Sequence, residues 1–439
     1  MSFPVSYPAP MSLSIPNSLQ GENPKTFPAA KSQIRSIPSS SASVGPSTSC
    51  LFQIPTGGLG FMKRGSVYVR GKINVTQTGA AATNWSFAGQ AGGVAVYDFG
   101  SASMLINRVN VQIGSLNVSY ANYNHMRHAV LPHCINGDWI ATDSRQMECT
   151  GVKRTNTDAT ADSKNAVFAI PLFLPIFNAE QHFPALLVNG GITVEILTES
   201  INQAFYAETN AVTGYTLSEL ALVYEEIQVS PEFKSALISS KAGESYNISV
   251  SDYWSVGPTS ADQSTRYQIG CGLSSLKAVL WTEQLQAAVA NTTSAKRYTH
   301  NGLLDYTISV DGQPVSLPNA NNQCVVFSEM NRSLQRLGDS QYNSYIEADT
   351  TNTSGSQDMT FYPTAHFLGG CNLMSVSDWG YSFVGRQATN VTVELNHGTP
   401  NAVNWGNAVA YAAANLYVFL LFDSVYSIDV ATGVVTQRK

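Results

Sequence analysis

Residues 167–196 read VFAIPLFLPIFNAEQHFPALLVNGGITVEI. The stretch opens as an apolar run, is cut by three prolines, and ends in a clean alternation after Gly190-Gly191. Three readings compete: a membrane span, a pair of buried strands, or a surface meant for another chain. A span needs ~20 consecutive apolar residues. Here Pro171, Pro175 and Pro184 interrupt, and Asn178, Glu180, Gln181 and His182 sit in the middle. Each internal proline would remove a helical hydrogen bond. Ile192 to Ile196 alternates apolar and polar residues with period two, the pattern of a half-buried strand. The stretch therefore reads as a buried strand, a loop resting on apolar neighbours, and a second strand. Ala408 to Phe422 is also uncharged, but Asn415 interrupts it and ~15 residues are too few to span. Leu416 to Phe422, apolar on both faces, reads as a central strand buried on both sides.

Composition points outward from these segments. The 439 residues suffice for two β domains of roughly 200 each. The formal net charge of -6 makes nucleic acid an unobvious partner. Charged residues are 12% of the chain, against ~25% in an ordinary soluble protein, while hydrophobic content is normal at 44%. Ser, Thr, Asn, Gln and Gly take the place of the missing charge. A lone monomer usually carries more surface charge, so much of this surface is expected to be buried against other chains. A secreted, glycan-decorated protein is the other class with this composition. Met1-Ser2-Phe3-Pro4 lacks the basic start and apolar core of a signal peptide. The six cysteines (Cys50, Cys134, Cys149, Cys271, Cys324, Cys371) are scattered with no CxxC pair, so reduced, buried thiols are expected. Eight Asn-x-Ser/Thr sequons, including Asn74, Asn117 and Asn390, are what an Asn- and Thr-rich β protein makes by chance.

Residues 1–48 form a Ser- and Pro-rich arm without sustained periodicity, expected to be disordered on its own. Its charges are Glu22, Lys25, Lys31 and Arg35, with none of the Arg/Lys block of an arm that grips a genome. From Cys50 onward strands dominate. Val109, Val111 and Ile113 alternate with polar residues, Gly114-Ser115 follows, and Leu116, Val118 and Tyr120 alternate again. That is a two-residue hairpin with Gly first in the loop. Asn122 to Val130 is a short helical candidate, followed by a polar loop carrying Asp158 and Asp162. A strand then runs through Leu220, Leu222 and Tyr224. At Ser230-Pro231-Glu232-Phe233 the pattern changes to a helix start: a Ser cap, Pro at the first position, Glu in the first turn. This helix, to about Lys241, marks a boundary.

The second half repeats the layout. Tyr246 to Val250, Leu276 to Trp281, Tyr306 to Val310 and Val391 to Leu395 read as strands, and Asp311-Gly312 as a turn. Ser328 is expected to cap a helix whose Met330, Leu334 and Leu337 share a face and which Gly338 stops. Each half thus holds many short strands and one helix at a similar depth. The expected fold is all-β: two tandem eight-stranded jelly-roll β-sandwiches with short helices. The arm spans 1–48, the first sandwich 49–229, the linker helix 230–242 and the second sandwich 243–439.

No catalytic constellation emerges. His125, His128 and His133 lie close, next to Cys134, and His at i and i+3 could share a helix face toward a metal. Pro132 is expected to break the helix before the third His, and no HExxH arrangement occurs. There is no Gly-x-Ser-x-Gly elbow and no phosphate-binding GxxxxGK[ST] loop; Gly89-Gln90-Ala91-Gly92-Gly93 reads as a turn. Glu225 and Glu226 point to opposite faces of a strand and cannot act together. No catalytic, cofactor-binding or metal residue is assigned, and no enzyme activity or cofactor is expected.

The order of these passages resembles the double-jelly-roll major capsid proteins of tailless icosahedral DNA viruses, the lineage of adenovirus hexon, tectiviruses, virophages and polinton-like viruses. Val167–Ile196 is similar to the family's "PL…F…P…G-I-x-V-E" passage late in its first jelly roll. Ser103 to Val111 with Tyr120 to Asn124 resembles its early hairpin and following helix, and Ser275 to Val279 with Ile308 to Pro314 the matching passages of its second half. The resemblance covers about residues 50–439 and implies short loops without large towers. It further implies homotrimeric, pseudo-hexagonal capsomers tiling an icosahedral shell. Implied partners are the chain itself, penton and minor capsid proteins and an internal membrane, with no sequence-specific nucleic-acid binding. The implied location is the virion, after synthesis inside the host cell. On this reading the loop Ile176 to Leu187 packs between sandwiches or between subunits; burial within one sandwich stays open beside it. Two alternatives remain: a single-jelly-roll capsid protein with a projecting domain from a small RNA or DNA virus, and a carbohydrate-binding β-sandwich.

Overall fold

The computed structural model describes residues 31–439 apart from 57–59, 79–83, 89–99, 135–142, 151–153, 156–164, 208–209, 242, 295, 318–319, 335–365, 375–384 and 400–409. Eight strands build the first sandwich: β1 (Lys31–Pro38), β2 (Ser49–Ile54), β3 (Tyr68–Gln77), β4 (Ile106–Ile113), β5 (Leu116–Tyr120), β6 (Asn165–Pro171), β7 (Ile192–Thr198) and β8 (Val212–Gln228). One sheet runs in the order β1-β8-β3-β6 and the other β2-β7-β4-β5. The first strand lies beside the last and the second beside the seventh, which is the jelly-roll order. Period-two side chains decide which face is inside. In β3 Val69, Ile73 and Val75 are buried while Arg70, Lys72 and Asn74 face out, and in β7 Ile192, Val194 and Ile196 are buried.

The second half follows with β9 (Ser245–Ala261), β10 (Ser264–Leu285), β11 (Leu303–Val310), β12 (Gln313–Pro314), β13 (Gly369–Asn372), β14 (Arg386–His397) and β15 (Ala414–Asp429). Here one long strand serves two sheets. Residues 264–270 of β10 pair with β14, and residues 276–285 pair with β15, with register shifts between Gly270, Leu273 and Leu276. Gly270 and Gly272 sit at this bend, where a strand that changes sheet must kink. Counting the two parts of β10 separately gives β9-β15-β10-β13 and β10-β14-β11-β12. That is the jelly-roll order of the first half repeated. A helix occupies the same place in both, between the fifth and sixth strands: helical turns over residues 123–133 in the first and α2 (Gln323–Ser333) in the second.

The turns form as their residues dictate. Ile113 pairs with Leu116 around Gly114, whose φ is +58°. Val310 pairs with Gln313 around Asp311 and Gly312, at φ +50° and +79°. The linker α1 (Pro231–Ser240) begins at Ser230, whose side chain accepts from the Phe233 N–H at 3.3 Å. Leu237 is buried, and the Phe233 ring meets Phe61 edge-on at 6.4 Å. Leu416 to Leu420 in β15 are all buried, so the uncharged C-terminal run is a central strand.

Several expectations are corrected. The arm's last residues are not outside the sandwich: Lys31–Pro38 is its first strand, paired with Ala221–Gln228 of β8. Its exposed, Ser-rich composition is that of an edge strand whose outer face carries no core residue. α2 is capped by Asn322, whose side chain accepts from the Val325 N–H at 3.0 Å, and not by Ser328, which lies inside the helix. Pro132 does not end the helical run before His133. The backbone widens to a π turn over Met126–Val130 and then tightens to a 3-10 turn over Leu131–His133, where proline near the first position leaves no donor unpaired. Of the cysteines, Cys324 is exposed and Cys134 half-buried; Cys50, Cys149, Cys271 and Cys371 are buried free thiols. Residues 1–30, the Gly89–Gly93 turn, the loop with Asp158 and Asp162, and Leu337 and Gly338 lie outside the described residues.

Candidate functional site

The question posed by Val167–Ile196 is answered at the seam between the two sandwiches. Val167 begins the stretch within β6, and Ile192–Ile196 is β7. Between them the proline loop is buried inside the monomer: Ile176 and Ala185 are 0% exposed, Phe183 1%, Leu186 and Leu187 6%. Phe183 and Met62 exchange backbone hydrogen bonds of 2.8 and 3.0 Å, and the Phe177 and Phe183 rings meet edge-on at 5.5 Å. The loop also lies against the second half, where the Asn189 N–H donates to the Gly433 carbonyl at 3.1 Å. Phe173, Pro175 and Asn178 line a cleft of about 620 Å³ facing Asp252, Lys277 and Asp423. The loop is thus buried within the monomer, in the core of the first sandwich, with its flanks against the second half.

The two cores exchange residues here. Ile248, Val250 and Tyr253 of β9, with Tyr426 and Ile428 of β15, belong to the hydrophobic cluster of the first sandwich, and Ala129 and Val130 to that of the second. The Tyr120 and Tyr253 rings lie 5.3 Å apart across the boundary.

The three histidines singled out in the sequence are seam residues, each held by different partners. The turns that carry them start at Asn122, at φ +49°, a left-handed conformation that Asn tolerates. Its amide donates to Ser255 Oγ and the Gly257 carbonyl, both at 3.0 Å, tying the turn to β9. The His125 ring stacks on Tyr417 at 3.8 Å, with Nδ1 2.9 Å from Tyr298 Oη and Nε2 3.0 Å from the Gln203 amide. The same Gln203 amide donates to Gln284 Oε1 at 2.7 Å. Burial lowers the His125 pKa to about 3, so the ring is neutral. Both ring nitrogens are engaged by protein. His128 Nε2 lies 3.1 Å from Ser103 Oγ, and His133 Nε2 3.1 Å from the His366 carbonyl. They do not converge, and among the described residues no three His, Cys, Asp or Glu side chains gather to hold a metal ion.

Sequence reasoning missed the buried ions beside them. Arg127 Nη2 donates to Glu148 Oε1 at 2.5 Å with both side chains under 5% exposed, and its guanidinium stacks 4.4 Å from the centre of the Phe173 ring. Glu148 Oε2 accepts from Ser101 Oγ at 3.0 Å. At the other end of the seam Asp252 accepts from Tyr426 Oη at 2.7 Å and the Gln437 amide at 3.1 Å, while burial raises its pKa against those hydrogen bonds. These contacts are distant in sequence, so no local pattern announces them. Glu225 and Glu226 do face opposite ways, the first to Lys63 at 2.6 Å and the second, 1% exposed, to Arg35.

The surface offers apolar side chains at the sheet edges. Ile34 on β1 is 73% exposed and Val167 on β6 65%, at the two ends of one sheet. Trp254, Leu304 and Leu317 are exposed on the second half.

A jelly-roll order repeated twice in one chain is found in solved structures. The fold is the double jelly roll of viral major capsid proteins. The chain is similar to the PBCV-1 protein VP54, as fitted into a reconstruction of the virophage Sputnik, at 13% identity and TM-score 0.58 over 93% of this chain and 97% of that one. It is similar to the mavirus major capsid protein at 11% identity and TM-score 0.55, over 100% and 95%. It is also similar to the Faustovirus major capsid protein at 8% identity and TM-score 0.52, over 92% and 91%. No family model and no curated protein matches the sequence.

Proposed function

We propose that this double-jelly-roll chain is the major capsid protein of an icosahedral virus, acting as structure and not as an enzyme. The observation that carries the reading is the jelly-roll order built twice from one sequence and fused through a shared core, on the fold of major capsid proteins. Two sandwiches fused at a fixed angle supply two of six positions in a ring, so three copies close a pseudo-hexagonal capsomer that can tile a shell. The 12% charge content and the apolar side chains at sheet edges support burial of the outer faces against other copies. Obligate interfaces of this kind bury ~2,000 Å² or more. Its partners are then itself, neighbouring capsomers, penton and minor capsid proteins, and its location the virion.

Sedimentation velocity and electron microscopy of the full chain test this. Trimers and closed particles are expected. A chain that stays monomeric at high concentration, or binds glycans as a monomer, would overturn the proposal.

A further inference from the structure

Residues 3–16 of the arm read FPVSYPAPMSLSIP. Within a segment whose composition gives no helix or core, this part alternates strictly. Phe3, Val5, Tyr7, Ala9, Met11, Leu13 and Ile15 are apolar; every even position is Ser or Pro, and none is charged. In an extended chain, alternate residues point side chains to one face and backbone N–H and C=O to one edge. The odd residues therefore share one apolar face and one hydrogen-bonding edge. Pro4, Pro8, Pro10 and Pro16 all fall on the other edge, where a missing N–H costs no ladder bond. An extended chain of this sequence could pair on one side only.

The described residues contain an open edge for it. β1 pairs with β8 on one side and with no other strand. Ser39 N donates to the Leu220 carbonyl at 2.9 Å, so the odd residues of β1 face β8. The backbone groups of Ser32, Ile34 and Ser36 then face the open side, and Pro38 in the same set has no N–H to strand there. The Ile34 side chain, 73% exposed, lies on the sheet's outer face beside that edge. An exposed edge strand bearing a large apolar residue calls for cover. In an antiparallel pair the residues opposite Ser32, Ile34 and Ser36 would be odd-numbered arm residues, with their apolar side chains on the face of Ile34.

We propose that residues 3–15 of a second copy add as a strand to the open edge of β1, linking subunits by strand addition. The arm enters the fold at Lys31, where β1 begins, leaving 30 residues outside the described chain. The tether between residues 16 and 31 reaches up to ~50 Å when extended, beyond the ~26 Å length of an eight-residue strand. A tether of this length can seat the segment on the β1 edge of a neighbouring copy. The inference rests on the capsid reading and extends it by naming a contact.

The test mixes two full-length variants, both carrying Cys324→Ser to remove the exposed thiol. One carries Ile34→Cys; the other, distinguishable by mass, carries Tyr7→Cys or Met11→Cys, with Ser6→Cys and Ser12→Cys as controls. Odd positions should form disulfide-linked heterodimers several-fold faster than even ones, because only their side chains share the face of residue 34. Adding Ser36→Pro, which removes an N–H from the open edge and leaves the β8 pairing intact, should suppress the link in a folded chain. Equal linking at odd and even positions, or no heterodimer from any arm position, overturns the proposal. Sedimentation of the same samples separates the two readings. Particles without odd-position links sink strand addition alone, whereas absence of both trimers and particles sinks the capsid reading.

Discussion

Replacing Phe183 by alanine should destabilise the subunit itself, before any assembly. The side chain is 1% exposed, packed edge-on against Phe177, and its backbone is pinned to Met62. Removing a fully buried aromatic loses ~1.5–3 kcal/mol of transfer free energy. A residual cavity of roughly 50–100 Å³ adds about 1–2 kcal/mol at ~24 cal/mol per Å³. The sum, ~3–5 kcal/mol, is a large part of the ~5–15 kcal/mol that holds a domain folded. At about 2–4 °C per kcal/mol for a domain of ~200 residues, the melting temperature of the isolated subunit should fall by roughly 6–20 °C. The contrast is Ile34→Asp, on the exposed edge of β1, which should change subunit stability by no more than ~0.5 kcal/mol. Thermal and denaturant melts of the two variants under non-assembling conditions decide the matter. If Phe183→Ala melts like the parent and loses only oligomers, the loop is an intersubunit surface and its burial within the monomer is wrong.

The buried histidines make the subunit acid-sensitive. Burial lowers His125 to about 3 and His300 to about 4, so the unfolded chain binds more protons than the fold below its ordinary histidine pKa of ~6.5. Stability from these two groups is complete above that value and lost as pH falls toward 4 and 3, about 2 kcal/mol each by pH 5; equal denaturant midpoints at pH 7.5 and 5 would refute it. Arg127→Met, which leaves Glu148 buried and unpaired, should cost ~3–5 kcal/mol in an equilibrium melt, and Glu148→Gln added to it should restore much of the loss. A double variant no better than the single one would show that the pair does not act as a unit. Binding of purified subunits to DNA or RNA should be undetectable at physiological salt, given the net charge of -6; a micromolar affinity with a steep salt slope would count against that.

What the sequence disclosed was what is local. Gly114-Ser115 and Asp311-Gly312 each carry their turn in two residues, and Ser230-Pro231-Glu232 its helix start in three, so these elements were legible. Alternation over β7 announced which face is buried, and the two apolar faces of Leu416–Phe422 announced a strand buried on both sides, because side-chain period is a property of the strand alone. Legibility failed where tertiary contact overrides propensity. Lys31–Pro38 has no apolar face to announce a strand; it is one because β8 offers it backbone partners. Asn322 outcompeted Ser328 as a cap because Val326 and Met330 must both reach the core, which sets where the helix begins. The histidines were visible and their chemistry was not. Whether His125 binds a metal or stacks on Tyr417 depends on a residue 292 positions away (417 − 125).

The seam explains why a chain so rich in uncharged polar residues holds many of them inside. A purely apolar boundary between two sandwiches would be stabilising at many relative angles, since dispersion and hydrophobic burial have little direction. Hydrogen bonds do have direction. Asn122 to β9, His125 to Tyr298 and Gln203 to Gln284 are each satisfied only when the two sandwiches sit at one angle. Any rotation strands several buried polar groups at ~1–3 kcal/mol apiece. In the proposed trimer, a ring of six sandwiches would close only if that angle were the same in every copy, because an error in each subunit accumulates around the ring. The polar seam therefore contributes less to how stable the subunit is than to how uniformly it is shaped. Gln203→Leu with Gln284→Leu separates the two: subunit stability should fall by only ~1–3 kcal/mol, the cost of leaving His125 Nε2 without its Gln203 partner, while particle diameters by electron microscopy should broaden. Uniform particles from the double variant would show that the angle is set by the apolar cores alone.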